Sequence, residues 1–459
     1  VARNYLDAES PIVALATPQG RGALAVVRTS GPGAIELCDR CFRSPQSLSA
    51  TPGYSLTHGF AVDPETGEKI DDAIAAVFRA PRSFTGQDSV EFSCHGSPAV
   101  VDKLLATLRK AGFKQALPGE FSFRAFANGK TDLVEAEAIN ELAGAKCESA
   151  RADALARLSG VLSSEYDRLR ESILDLLAQI EARLDYAEEE GPDESFDLAG
   201  KFLALQNRLE SLSASYIGGK LRQEGALVVI SGRPNAGKSS LFNLIVREER
   251  AIVSPDPGTT RDWLESWIEI GGYAVRLVDT AGLRAADAPV EAEGVRRSLE
   301  LSRNADSVLY IVDGSAGCND EDEEFLAAHP RAIRIWNKTD IPSCPKVPEG
   351  WIGLSSKSGS GLAALESVTK ASLDEIASSS GDARAAGSEL RLASLRQKEL
   401  VDACLASVRA AVKDSSNGAP MDAISLHLRE AADALGQITG EISGEEVFER
   451  IFGAFCLGK

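Results

Sequence analysis

The chain has 459 residues, 44% apolar and 25% charged, a composition that builds ordinary cores and a length that suggests about three domains. Its net charge of −19, 49 basic against 68 acidic residues, argues against broad non-specific coating of nucleic acid but leaves room for a local basic patch. No apolar run approaches the roughly 18–20 residues of a membrane span, no basic-then-apolar leader is visible, and eight scattered cysteines fit a reducing compartment, so a cytoplasmic protein without a membrane segment is expected.

Residues 1–118 carry short β-type runs at 12–16, 24–27 and 73–78, punctuated by Gly and Pro, and a helical pattern at 99–111. That is an α+β pattern. Within it, Cys38-Asp-Arg-Cys41 has the spacing of half a zinc or redox site. No second Cys pair or His pair accompanies it, so it reads as structural, and His95 reads as a packed turn residue. From Gly119 the pattern turns helical through residue 217. Leu155, Leu158, Leu162, Tyr166, Leu169, Ile173, Leu176, Ile180 and Leu184 step by three and four. The spacing predicts one core helix of about forty residues, ~60 Å long. The Gly-rich stretch 218–225 then reads as a break. The acidic runs at 188–197 and 320–324 read as solvated loops or helix ends.

The most informative stretch follows. Ala226-Leu-Val-Val-Ile-Ser231 is a short buried strand and residues 240–246 an amphipathic helix. Between them lies Gly232-Arg-Pro-Asn235-Ala236-Gly237-Lys238-Ser239-Ser240, the strand, Gly-rich loop and helix start of a phosphate-binding loop. Backbone N–H groups there face an anion, Lys238 reaches the β/γ-phosphates and Ser239 can ligate Mg²⁺. Ser254-Pro255-Asp256-Pro257-Gly258-Thr259-Thr260 stands at the distance of a first switch loop, with Thr260 the better candidate for the same Mg²⁺. A strand then leads into Asp279-Thr280-Ala281-Gly282, whose carboxylate suits water-mediated Mg²⁺ binding and whose Gly N–H suits the γ-phosphate.

After the apolar run 307–312 comes Asn337-Lys338-Thr339-Asp340, where the carboxylate can accept from guanine N1–H and its 2-amino group. Adenine offers neither donor there, and buried acceptors left unpaired reject it. Ser355-Ser356-Lys357 completes the set near the guanine O6. Five elements in this order predict a module, residues 222–376, that binds and hydrolyses GTP. A linker-like stretch at 378–387 follows. Helical stepping resumes through Leu395, Val401, Leu405, Val408 and Val412, then Ile424, Leu428, Leu435 and Ile438. The GTPase module therefore sits between two helical segments, 119–221 and 377–459, expected to pack as one bundle.

With both flanks in view, the chain resembles the MnmE (TrmE) family of tRNA-modification GTPases along essentially its whole length. The residues that carry the likeness are Ala16-Thr-Pro-Gln-Gly-Arg-Gly22, Val26-Val-Arg-Thr-Ser-Gly31, Ser83-Phe-Thr-Gly-Gln-Asp88, Glu91, Cys94-His-Gly96, Pro118-Gly-Glu-Phe121, Arg124-Ala-Phe-Ala-Asn-Gly-Lys130 and the terminal Cys456-Leu-Gly-Lys459. The resemblance implies a multidomain α/β and α protein: an α+β folate-binding and dimerising N-terminal domain, a discontinuous helical bundle and an inserted Ras-like P-loop GTPase domain. It implies a homodimer working with the FAD-dependent partner MnmG (GidA) in a heterotetramer on tRNA. Together they would add an aminomethyl-type (carboxymethylaminomethyl) group to C5 of the wobble uridine, with a one-carbon unit from a tetrahydrofolate derivative, 5-formyl- or 5,10-methylene-.

Residue by residue, the resemblance puts Arg28, Glu91, Lys130 and Lys459 at folate, whose anionic tail suits Arg and Lys and whose pterin N–H groups suit a carboxylate. Leu283 stands where Ras-like enzymes carry a water-orienting Gln. By resemblance that role falls to Glu291, with Glu293 two residues away as the competing position. The family's K⁺, coordinated by Asn235, Ser254, Asp256 and Thr259 when two GTPase domains meet, would offset developing charge as a guanidinium does. Cys456 reads either as a small packing residue or, from its place in Cys-Leu-Gly-Lys, as a group at the modification site. A ribosome-assembly switch of the Era/Der kind is the competing function; this sequence shows one GTPase motif set and no appended RNA-binding module.

Overall fold

The computed structural model describes residues 10–185, 198–248, 265–279, 301–378, 391–442 and 444–459. The chain divides into two compact units, Val1–Asn140 with Gly436–Lys459, and Glu141–Leu435.

In the first unit, alternation of apolar and polar residues builds a seven-stranded sheet among the described residues. Its strands are β1 (Ile12–Leu15), β2 (Leu24–Ser30), β3 (Phe42–Arg43), β4 (Ser55–Val62), β5 (Lys69–Phe78), β6 (Ser89–His95) and β7 (Lys114–Gln115), in the order β3-β4-β5-β6-β2-β1-β7. All neighbours are antiparallel except β1 and β7. On β2, Ala25 and Val27 point into the core while Leu24 stays exposed, the period-two signature of a strand with one buried face. The helix Pro98–Ala111 covers that face. Pro98 sits in its first turn, Val101, Leu104 and Leu108 step along its buried side, and Gly112 at φ 124° ends it. Val27, Val77, Phe92, Leu104 and Leu108 share one core. Full burial of each such side chain contributes roughly 1.5–3 kcal/mol.

The chain's end returns to this unit. The helix Glu445–Phe452 sets Ile451, Phe452 and then Phe455 against Phe123, Leu133 and Ala136. Gly119, at φ 69°, lets the two segments meet: a Cβ there would stand 2.5 Å from the Phe452 carbonyl oxygen.

Among its described residues the second unit holds a six-stranded sheet of β8 (Ala226–Ser231), β9 (Glu265–Ile270), β10 (Tyr273–Asp279), β11 (Ser307–Asp313), β12 (Ile333–Asn337) and β13 (Ile352–Gly353), ordered β13-β12-β11-β8-β10-β9. Only β9 and β10 pair antiparallel. β11 is buried almost throughout, as a strand covered on both faces must be. Long helices on either side of this segment in sequence pack on one another. Ser213 of Leu198–Glu224 donates to Asp402 of Leu395–Ser416 at 2.6 Å, Arg409 pairs with Glu210 at 2.7 Å, and Tyr166 donates to Gln397 at 3.2 Å. The segment that carries the nucleotide motifs is therefore inserted into a helical bundle made from two parts of the chain.

Two sequence expectations change. The single forty-residue helix is two, Glu148–Leu158 and Val161–Asp185. Gly160 at φ 78° takes the left-handed conformation that stops a helix; Leu162, Tyr166, Leu169, Ile173, Leu176 and Ile180 are buried along the second piece, while Leu155 on the first is exposed. The expected break at 218–225 is helical up to Glu224. Its glycines serve close packing instead: a Cβ on Gly219 would lie 1.9 Å from the Leu392 carbonyl oxygen, and one on Gly218 2.8 Å from that of Ala377. No described helix is long and apolar enough to cross a membrane.

Candidate active site

The parallel strands of the second unit deliver their C-terminal ends to one edge, and the nucleotide motifs gather there. β8 runs into the 232–237 loop and then the helix Lys238–Glu248. The loop is held open by left-handed backbone at Asn235 (φ 61°) and Gly237 (φ 107°). Two positions admit only glycine: a Cβ on Gly232 would stand 2.2 Å from the Ile311 carbonyl oxygen, and one on Gly237 2.2 Å from Asn337 Nδ2. Lys238 is buried, and its Nζ donates to the carbonyls of Gly232 at 2.8 Å and Arg233 at 2.7 Å, capping the loop from within. Ser239 Oγ donates to Asp279 Oδ2 at 2.7 Å, with Asp279 fully buried at the end of β10. A hydroxyl and a carboxylate side by side at a phosphate loop form the hard-oxygen pair that Mg²⁺ takes. The residues present fit that ion.

The base-reading motifs lie at the ends of β12 and β13. Asn337 is buried and does not itself point at a base. Its Nδ2 donates to the Ala236 carbonyl at 2.8 Å, and its Oδ1 accepts from Ser356 N at 3.0 Å and Ser356 Oγ at 2.9 Å. One amide thus ties the phosphate loop to the 355–357 loop. Lys338, at φ 65°, pairs with Asp313 at the end of β11 (Nζ–Oδ2 2.5 Å). Sequence reading missed Asp313; its signal was an acid closing an apolar strand just before Gly314. Thr339 N donates to Leu354 O at 3.2 Å. Asp340 is exposed and accepts from Ser355 Oγ at 2.7 Å, a bond that holds its carboxyl below the usual carboxylate range. Lys357 is exposed and adds a smaller attraction. Asp340 is therefore an ionised, oriented acceptor, as guanine selection requires. Ser240 is exposed in the first turn of the Lys238–Glu248 helix.

The 254–260 loop lies outside the described residues, with Ser254, Pro255, Asp256, Pro257, Gly258, Thr259 and Thr260. So do Thr280, Ala281, Gly282, Leu283 and the two glutamates Glu291 and Glu293. Of the K⁺ set, only Asn235 is described, exposed in the phosphate loop.

In the first unit, the structure brings together Arg28, Glu91 and the chain's end. β2–β6 register places Arg28 opposite Glu91, and Nε donates to Oε1 at 2.7 Å, both side chains about a quarter exposed (25% and 27%). The guanidinium lies 5.4 Å from the Phe84 ring centroid and 5.7 Å from that of Phe121, and donates to the Gly458 carbonyl at 3.4 Å. Lys459 O accepts from Phe121 N at 3.1 Å, and burial pushes its ammonium below the usual lysine range. Gly458, at φ 88°, threads the tail past β1, where a Cβ would stand 2.3 Å from the Leu15 carbonyl oxygen. Lys130 is exposed; its Nζ lies 3.4 Å from Pro81 O, at the start of the loop that carries Phe84. Buried Arg124 holds that loop through Gln87 Oε1 at 3.1 Å and pairs with Glu120 at 2.7 Å. An accessible carboxylate beside cations and aromatic rings suits a pterin with an anionic tail.

The cysteines divide. Cys38 and Cys41 lie in the sheet core; burial raises both thiols, that of Cys41 to about 11. Cys456 is exposed on the tail, so the packing reading does not describe it. His95 is not a packed turn residue either. It ends β6 with its side chain 67% exposed, 2.8 Å from Asp71 Oδ1.

Comparison with known proteins agrees with this layout. Residues 11–130 match the model "GTP-binding protein TrmE N-terminus" and residues 133–456 the model "MnmE helical domain". Proteins named "tRNA modification GTPase MnmE" align end to end: that of Treponema denticola is 40% identical over 98% of both chains, and one from Thermus thermophilus is 42% identical over 98% of this chain and 99% of its own. That of Carboxydothermus hydrogenoformans is 37% identical over 98% of this chain and 100% of its own. Matches of this identity and extent, over a phosphate loop and base-reading loops already joined by Asn337, make the chain a member of the MnmE (TrmE) family of tRNA modification GTPases.

Proposed function

We propose that this protein hydrolyses GTP at the edge of the second unit's sheet and uses the cycle in modifying tRNA. Its product would be an aminomethyl-type substituent on C5 of the wobble uridine, made with a tetrahydrofolate one-carbon donor and the FAD-dependent partner MnmG. The observation that carries the GTPase reading is the joining of phosphate loop and base loop through Asn337, with the Ser239–Asp279 pair beside them. Lys238, now on the carbonyls of Gly232 and Arg233, would swing to the β/γ-phosphates, and Asp340 would accept from the guanine edge. Mg²⁺, held by Ser239 and Thr260 with Asp279 acting through water, would supply charge compensation at those phosphates. Asn235 with the 254–259 loop would hold K⁺ in the same role when two GTPase domains of a homodimer meet, and Glu291 would orient the attacking water. The folate reading rests on the Arg28–Glu91 pair with Lys459 close to it in the tail, and Lys130 on the neighbouring loop. We read the domain limits as 1–118, 119–221, 222–376 and 377–459, and the compartment as the cytoplasm.

The test is mass spectrometry of wobble nucleosides from cells lacking the protein, alongside GTP turnover of the purified chain in KCl and NaCl at equal ionic strength. Loss of the C5 substituent and faster turnover in KCl are expected. Unchanged nucleosides would sink the modification role; equal rates in the two salts would remove K⁺.

A further inference from the structure

A cleft of the second unit lies away from the nucleotide motifs, with a volume of about 1130 Å³ between the helix Leu362–Ser378 and the N-terminal ends of β11, β12 and β13. The motifs occupy the opposite ends of those strands. β11 alone, at about 3.3 Å per residue, separates the two by roughly 20 Å. The volume exceeds the roughly 300–1,000 Å³ of small-molecule clefts.

Its walls combine charge and an aromatic face. Arg303, Arg331 and Arg334 line it, and none of the three is paired with a carboxylate among the described residues. Asp306 and Glu375 also line it, the first with Oδ2 accepting from Leu227 N at 2.8 Å and the second exposed on the helix. Three guanidiniums against two carboxylates leave a small positive balance in a chain of net charge −19. Trp351, half-buried in the same wall, is braced edge-on by Trp336 at 5.4 Å between centroids.

We propose that this cleft binds a single-stranded, phosphate-bearing segment of RNA, an inference that rests on the reading that the protein acts on tRNA. Guanidiniums take phosphate oxygens in two-point contacts. Aromatic side chains stack unpaired bases irrespective of sequence. An open cleft with both, larger than a single small ligand needs, matches a strand rather than a metabolite.

The test uses the full chain and labelled tRNA lacking the wobble modification, with binding followed from 50 to 200 mM KCl. The triple variant Arg303→Gln, Arg331→Gln, Arg334→Gln should bind roughly tenfold or more weakly at low salt. Its log–log salt slope should fall by about two, at about 0.7 per lost single-strand phosphate contact, while GTP turnover stays unchanged. Trp351→Ala should weaken binding without altering the slope, and Trp351→Phe should restore it. Wild-type affinity and slope in the triple variant would overturn the proposal while leaving the tRNA reading intact. Absence of tRNA binding by the unaltered chain would overturn both. Competition by uridine monophosphate that the triple variant abolishes would assign the cleft to a small nucleotide and overturn the RNA assignment.

Discussion

Asn337 shows how much one side chain can decide at this site. Its amide serves three hydrogen bonds, one to the Ala236 carbonyl and two from Ser356, across sequence separations of 101 and 19 residues. Asn337→Ala would remove all three from a buried position. At about 0.5–1.5 kcal/mol each, a loss of about 2–4 kcal/mol is expected, read as a lower urea midpoint by tryptophan emission and as weakened GTP binding. Wild-type values for both would show that the two loops stand without it. Asp340 acts differently, through an ionised acceptor face fixed by Ser355. Asp340→Asn should turn preference from GTP toward xanthosine triphosphate by exchanging an acceptor for a donor at the base edge. Unaltered discrimination in competition binding would remove Asp340 as the base reader. The chemistry of these residues was legible in the sequence because motif spacing encodes it. The bridging of Asn337 and the Lys338–Asp313 pair were not, because each depends on strands brought side by side by the sheet.

At the scale of elements, glycine is where sequence reading and structure part company. Apolar stepping from Leu162 to Ile180 is a true signal of a buried face, but the pattern that begins at Leu155 is silent about Gly160, whose positive φ splits the helix. The pair Gly218-Gly219 resembles a linker in composition, yet it is the close-approach point of the helix Leu198–Glu224. Composition cannot tell flexibility from a need for no side chain. The two alternatives differ under mutation. Gly219→Ala pushes a methyl group into the Leu392 carbonyl, so it should destabilise by about 1–3 kcal/mol. Gly144, the last residue of the helix Leu133–Gly144, has open space within 4 Å of where a methyl group would stand and no positive φ. Gly144→Ala should be neutral or stabilising by about 0.4–1 kcal/mol. Thermal melts of the two variants make the comparison, and equal melting temperatures would mean that the 219 crossing relaxes freely.

Over the whole molecule, the chain spends its ends on one unit and its middle on another. The α+β character of the N-terminal region and the insertion of the GTPase between helical segments were both legible, since alternation, helical stepping and motif order are local. The return of residues 436–459 to the N-terminal unit was not, because Phe452 against Phe123 and Gly458 against Leu15 are contacts across more than 300 residues of sequence. This arrangement separates the tail from the phosphate loop by unit, with Cys456 and Lys459 in one and Lys238 and Asp340 in the other. It leads to an expectation in three parts. Lys459→Ala and Glu91→Gln should each weaken binding of 5-formyltetrahydrofolate, measured by calorimetry, since one removes a cation and the other a carboxylate from the proposed folate site. Cys456→Ser should keep folate binding, because its exposed thiol is not part of the Arg28–Glu91 pair. It should nevertheless lower wobble-uridine modification in cells, because the thiol is the tail's nucleophilic group. All three variants should hydrolyse GTP at the wild-type rate. Loss of folate binding in Cys456→Ser would return that residue to a structural role in the tail. A fall in GTP turnover in any of them would mean that the tail acts on the phosphate loop despite belonging to the other unit.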